Sequence, residues 1–260
     1  MPKTIYAHRG WSSRYPEMTR AAYRAAIEWA ASTGTELWLE CDVHFSADDE
    51  LICLHDLTLN RTAAVPSRAI DLTVAQLKEI DFGSWVQAQP EPEQRELVTL
   101  AELIAMINDA REAGVVVSLA VETKHPNPRS LDVEDRVAAM LTELGWDGDE
   151  SPVRLITFSL DALERFGRLL PDVPRSLLVE KDLGQWRGGE LPDGVSVVGL
   201  ELILLRKDPG YVARARAHGN EVHVYTVNDP DDIRFCRDLG VSGFITDAPQ
   251  VAAEVLAEAV

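Results

Sequence analysis

Eight short runs rich in β-branched residues recur along the chain, separated by longer segments of 3.6-residue apolar periodicity. That alternation is the signature of repeated βα units feeding a parallel sheet. The strand candidates are residues 4–8, 37–43, 115–123, 153–158, 175–179, 195–200, 221–227 and 243–246. Helix candidates cover 19–32, 100–113, 133–144, 160–170, 209–218 and 230–239. Their ends carry chemical signals: Thr99 with Glu102 three residues on forms a capping box, and Gly34, Gly114, Gly219 and Gly240 stand where helices must stop. Eight strands in 260 residues match an α/β fold of the (β/α)8 TIM-barrel type, whose usual size is about 250 residues. An open doubly wound sheet is less favoured, because no Gly-x-Gly-x-x-Gly turn follows the first strand. Residues 1–260 therefore read as one domain with one irregularity. An extra short strand at 51–54 follows the second strand, and residues 56–98 form an insertion longer than ordinary loops. Inside it, 73–80 predicts a short helix capped by Thr73 and Gln76, and 87–93 predicts a polar turn.

Charge narrows the class of function. There are 43 acidic and 25 basic residues, a net charge of −18, so nucleic acid and anionic membrane surfaces are disfavoured as partners. Cys41, Cys53 and Cys236 are odd in number and lack metal-ligand spacing, which favours a reducing compartment over a disulfide framework. No apolar run approaches the roughly 18 residues of a membrane helix, and the segment from Met1 to His8 leaves little room for a secretory leader, so a cytoplasmic protein with no stable membrane anchoring is expected.

In a barrel, the C-terminal ends of the strands carry the chemistry. Four such ends are polar here: Ala7-His8-Arg9-Gly10, Glu40-Cys41-Asp42-Val43-His44, His55-Asp56 after the extra strand, and Glu122-Thr123-Lys124-His125. Glu40 and Asp42 share one strand face, while Leu39, Cys41 and Val43 share the other and can meet the helix layer. Glu122 follows the same parity on the next strand. Three carboxylates crowded at a barrel mouth raise one another's pKa or call for a cation, and an all-oxygen set favours Mg²⁺ or Ca²⁺ over Zn²⁺ or Cu²⁺. Taken singly, each acid is better explained by pairing with Arg9 or Lys124 or by capping a helix; the convergence of three is what favours a cation. His8 and His55 suit a general acid and base near neutral pH; His44 and His125 are intermediate, and His218 and His223 read as structural. Arg9 offers a planar fork for phosphate and Lys124 a point charge.

The motifs His8-Arg9-Gly10, Pro16-Glu17-Met18-Thr19, Glu40-x-Asp42-Val43, His55-Asp56-x-x-Leu59-x-Arg61-Thr62, Glu122-x-Lys124, Tyr225-Thr226-Val227-Asn228 and Ile245-Thr246-Asp247 together resemble the glycerophosphodiester phosphodiesterase family over nearly the whole chain. The resemblance implies a barrel with a small insertion after the second strand. It also implies hydrolysis of a small-molecule glycerophosphodiester to glycerol 3-phosphate and an alcohol. Carried over by position, His8 and His55 are the acid/base pair, Glu40, Asp42 and Glu122 the metal ligands, Arg9 and Lys124 the phosphate contacts, and Tyr225 an aromatic wall of the substrate pocket. Met18 departs from the asparagine usual in that motif. Two competing readings use the same residues: a sphingomyelinase-D-like phospholipase, which the acidic charge and lack of an anchor disfavour, and a barrel that binds glycerophosphodiesters without turnover.

Overall fold

The two faces of each strand part company in the computed structural model, which describes residues 3–258. Met1 and Pro2, counted above in the segment ahead of the first strand, lie outside the described residues, as do residues 259 and 260. In chain order the elements are β1 (Thr4–Ala7), α1 (Arg20–Thr33), β2 (Leu37–Phe45), β3 (Leu51–Cys53), α2 (Asn60–Ala63), a 3₁₀ turn at Ala69–Asp71, α3 (Val74–Lys78), α4 (Pro92–Arg95) and α5 (Leu100–Glu112). The remainder runs β4 (Val117–Thr123), α6 (Asp132–Glu143), β5 (Val153–Thr157), α7 (Leu160–Leu169), β6 (Arg175–Val179), a 3₁₀ turn at Gly184–Gly188, β7 (Val197–Glu201), α8 (Leu202–Lys207), α9 (Tyr211–Ala217), β8 (Glu221–Tyr225), α10 (Pro230–Leu239), β9 (Gly243–Thr246) and α11 (Pro249–Ala257).

Eight of the strands pair in parallel and close, β1 bonding to both β2 and β9, while β3 adds to β2 as an antiparallel ninth strand. The fold is the expected TIM barrel. Leu39, Cys41 and Val43 on β2, with Val117, Leu119 and Val121 on β4, pack outward into the core shared with the helices. Tyr6, Ala120, Ile156, Leu178 and Ile245 fill the barrel interior, joined by Trp38 and Tyr225. The insertion has an apolar cluster of its own, with Leu54, Leu59, Leu77, Phe82 and Leu97 packed on Ile52 of β3, so it stands as a wall beside the barrel mouth. Among the described residues no helix is long and apolar enough to cross a membrane.

Local signals explain most boundaries. Thr99 accepts from the Glu102 backbone N–H at 3.1 Å while the Glu102 carboxylate accepts from the Thr99 N–H at 2.8 Å, and the Thr73–Gln76 box closes the same way. Gly34, Gly114, Gly219 and Gly240 all take the left-handed conformation expected of helix stops. Three expectations need correction. The segment at 87–93 is not only a turn, since Glu91 caps α4 and Pro92 occupies its first position. The helix expected from residue 209 starts at Tyr211, because Pro209 and Gly210 form the turn ahead of it. Helices α8 and α11 were not read from sequence; α8 leaves β7 without a capping side chain, and neither helix has an N-terminal side-chain cap to mark it.

The turn after β1 is set by close approach. Arg9 and Gly10 both have positive φ, 58° and 83°, and a Cβ on Gly10 would lie 2.8 Å from the Ala22 carbonyl carbon and 2.9 Å from its Cβ. The Trp11 N–H donates to the Ala22 carbonyl at 3.0 Å, fastening this turn to α1. Met18, whose N–H donates to the Arg9 carbonyl at 2.9 Å, also has φ of 58° while its side chain is buried. Asparagine tolerates that backbone better than methionine does, so at this position apolar packing offsets backbone strain. We predict that Gly10→Ala lowers unfolding free energy by about 3 kcal/mol, combining the left-handed penalty with overpacking. Gly34→Ala, with φ of 69° and open space around its Cβ, should lose only about 1 kcal/mol. Urea denaturation of both variants tests this, and equal losses would contradict the close-approach account.

Candidate active site

Strand register brings the acids together. Asp42 on β2 and Glu122 on β4 are Cα partners, and Glu40 sits two residues earlier on the same inward face. All three are buried, and one carboxylate oxygen from each lies within 4.8 Å of the others. Lys124 Nζ is 2.7 Å from Asp42 Oδ1 and 2.5 Å from Glu122 Oε1. The Arg9 backbone N–H donates to Glu40 Oε2 at 3.0 Å. Arg9 Nε stands 3.3 Å from Asp42 Oδ2, but neither atom has a hydrogen-bond partner. Three carboxylates thus face two cations, a surplus of negative charge in a dry setting. Burial, then the charges of Asp42 and Glu122, pushes the Glu40 carboxyl well above the usual carboxylate range. Burial and the charge of Asp42 raise Glu122 to about 8. Burial also opposes ionisation of Asp42, but Lys124 and Arg9 outweigh it and hold that carboxyl below its ordinary value. An oxygen-only donor set, an orphaned Asp42 oxygen and a charge excess all fit a hard divalent cation.

Each mouth histidine is held by its own carboxylate. His8, just past β1, has Nδ1 2.6 Å from Asp247 Oδ1, and Asp247 also accepts from Ser12 Oγ at 3.0 Å and Asn228 Nδ2 at 2.6 Å. His55, just past β3, has Nδ1 2.6 Å from Asp56 Oδ1. Arg61 Nε donates to Asp56 Oδ2 at 2.7 Å and its fork reaches both Glu17 oxygens at 2.8 and 2.7 Å; Glu17 in turn accepts from Arg9 Nη1 at 3.0 Å. A carboxylate on Nδ1 fixes the proton there and leaves Nε2 as the free ring nitrogen. Burial lowers the pKa of His55, with Asp42 opposing. The other histidines serve structure: His44 Nε2 lies 3.1 Å from the His55 carbonyl, His125 Nε2 lies 2.9 Å from Glu134, and His218 is at the surface.

His8, Arg9, Glu40, His55, Glu122 and Lys124 line one side of a cavity of about 370 Å³. Asp42 is tucked behind Arg9 and Lys124 rather than on the lining. Tyr225 stands on the opposite side with its hydroxyl donating to the Val179 carbonyl at 2.9 Å, so the ring is what it offers the cavity. Of the orienting groups, Glu17 of the Pro16-Glu17-Met18-Thr19 motif binds both Arg9 and Arg61. Asp247, Asn228 and Ser12 were missed as a unit, since His8 and Asp247 are 239 positions apart. Phe158, Glu180 and Glu201 on the far wall were also missed.

His223 lies lower in the barrel, 5.4 Å from Tyr6 ring to ring, with Arg154 at 3.4 Å and Glu221 at 3.5 Å. Burial first, then the Arg154 charge, takes its pKa down to about 4 although Glu221 pulls upward. The unfolded chain, with histidine near 6.5, binds this proton before the folded one does. The stability held by neutral His223 is therefore complete above pH 6.5 and is lost as pH falls toward 4, about 3 kcal/mol at most. Urea unfolding followed from pH 7.5 to 4.5 should show a shallower decline in His223→Gln than in the parent chain, and identical slopes would contradict this.

The sequence profile of the Glycerophosphoryl diester phosphodiesterase family matches residues 8–251. A probable glycerophosphodiester phosphodiesterase 1 of Mycobacterium tuberculosis is 32% identical, covering 94% of this chain and 89% of its own length. A glycerophosphodiester phosphodiesterase of Bacillus subtilis is 29% identical over 96% of this chain and 85% of its own. Among solved structures, an Oleispira antarctica phosphodiesterase in complex with the product sn-glycerol-3-phosphate superposes with a TM-score of 0.81 at 24% identity, covering 99% of this chain and 98% of that one.

Proposed function

This chain belongs to the glycerophosphoryl diester phosphodiesterase family, and from that premise we propose that it hydrolyses glycerophosphodiesters to glycerol 3-phosphate and an alcohol, with divalent-metal assistance and a histidine acid/base pair. The observation that carries the reading is the conjunction, around one cavity, of three converging carboxylates and two histidines whose Nδ1 atoms are each held by an aspartate.

Glu40, Asp42 and Glu122 would hold the ion, which when bound supplies positive charge against the phosphoryl oxygens. Arg9 and Lys124 add two cations on the same side of the cavity and bind the diester anion there, a local attraction that matters more than the net −18 because distant charges are screened beyond about 8 Å. As the P–O bond to the departing alcohol breaks, one histidine Nε2 gives its proton to the alkoxide oxygen. The other takes a proton from the attacking oxygen, which is that of water or of the neighbouring glycerol hydroxyl; in the second case a cyclic phosphate forms and water then opens it to glycerol 3-phosphate with the histidine roles exchanged. Asp247 and Asp56 keep the rings aimed and stabilise each imidazolium as it forms. The ring of Tyr225 borders the substrate on the far side. We read residues 1–260 as one catalytic domain and place it in the cytoplasm, a setting supported by three buried, unpaired cysteines.

Two outcomes follow. His8→Ala and His55→Ala should each lower kcat by about 10² to 10⁴ in an assay of glycerol 3-phosphate release; parental rates in both would remove the histidine pair from the mechanism. Treatment with excess chelator should abolish turnover, and Mg²⁺ or Ca²⁺ should restore it. Full activity in chelator would refute metal assistance.

A further inference from the structure

We propose that the cavity wall facing the reacting centre is a subsite for a cationic alcohol head, so that choline- or ethanolamine-type glycerophosphodiesters are preferred over neutral or anionic ones. This rests on the reading above and adds the substrate class to it.

Four adjacent strands deliver this wall. Phe158 follows β5, Glu180 follows β6, Glu201 ends β7 and Tyr225 ends β8, with Glu201 and Tyr225 as register partners, and all four line the cavity that holds His8, Glu40 and His55. The Phe158 and Tyr225 rings meet edge to face, 6.1 Å apart at 88°. With its hydroxyl committed to the Val179 carbonyl, Tyr225 offers an aromatic surface. Glu201 is half-buried, and among the described residues no lysine, arginine or histidine pairs with it and no group donates to it. Glu180 has a neighbour, Lys181 at 2.6 Å, but that pair is solvent-exposed and contributes little neutralisation toward the cavity. An unpaired carboxylate beside an aromatic pair suits an ammonium ion, which gains from both the charge and the ring quadrupole.

The cavity is therefore polarised. Arg9 and Lys124 share the reacting side with Glu40 and Glu122, Glu180 and Glu201 stand across from them, and Arg154 lies lower in the lining beside Tyr6 and His223. The mouth thus offers cations to a phosphate on one side and carboxylates to an ammonium on the other. Gly199, directly below Glu201 on the same face of β7, keeps the centre open; a Cβ there would come within 2.5 Å of Leu178 Cδ2. Ser176 on β6 also borders the cavity as a buried residue whose Oγ has no hydrogen-bond partner. At about 370 Å³ the space falls within the range of small-molecule sites.

The test compares glycerophosphocholine with glycerophosphoglycerol, which share the glycerophosphoryl half and differ in head charge, in the full chain and in Glu201→Gln, Glu201→Asp and Phe158→Ala. The parent should favour the choline diester in kcat/KM. Glu201→Gln should cut that preference about tenfold and Phe158→Ala about threefold, while Glu201→Asp, which keeps the charge, retains most of it. Calorimetric titration with glycerophosphocholine should show the same weakening, and does so even if neither diester is turned over, in which case the subsite stands and the hydrolytic reading falls. Brisk turnover of both diesters with a ratio unmoved by Glu201→Gln, or equal losses on both, would leave hydrolysis intact and overturn the subsite.

Discussion

Crowding of like charge between β2 and β4 governs this molecule. Asp42 and Glu122 are fixed side by side by parallel register, and Glu40 is placed next to them by strand parity. None of the three can retreat to solvent without breaking the barrel. Removing carboxylates from water is costly unless each finds positive charge or a proton. Lys124 bridges two of them and the backbone of Arg9 reaches the third, yet the sum stays negative, and Glu40 and Glu122 hold protons more tightly than free carboxyls do. The sheet thus maintains an unfavourable cluster that a divalent ion would relieve, a local conflict of the kind expected at functional sites.

From that cluster one chain of ion pairs runs outward: an unbonded contact from Asp42 to Arg9, then hydrogen-bonded links from Arg9 to Glu17, Glu17 to Arg61, Arg61 to Asp56 and Asp56 to His55. The position of His55, just ahead of the insertion, is therefore linked to the barrel's acids through alternating anions and cations. His8 is tied separately, through Asp247, to the last strand of the barrel. The two rings are consequently supported from opposite directions around the mouth, one from the segment after β3 and one from the β9 end, with the cavity between them.

How much of this was legible in the sequence depended on range. Period-two alternation in β2 put Leu39, Cys41 and Val43 outward and Glu40 and Asp42 inward, as found, because parity is a local property of a strand. Capping boxes at Thr73 and Thr99 were equally local. The acid/base reading of His8 and His55 came from their place at polar strand ends and from imidazole chemistry, and the family resemblance pointed to the same pair. What escaped was whatever needs barrel closure. Asp247 lies far from His8 in sequence, and Glu201 reads as one more acid among 43 until β7 is seen to end at the cavity. Positive φ at Met18 escaped as well, since methionine gives no warning of left-handed backbone. Helices α8 and α11 lacked the capping boxes that marked α3 and α5.

The most direct measurement is calorimetric titration of chelator-stripped protein with Mg²⁺ and Ca²⁺, in the parent chain and in Glu40→Gln and Glu122→Gln. The account predicts saturable binding of one ion per chain, with affinity sharply reduced in both variants while the far-ultraviolet circular dichroism is retained. Absence of binding in the parent, or binding indifferent to both substitutions, would contradict it.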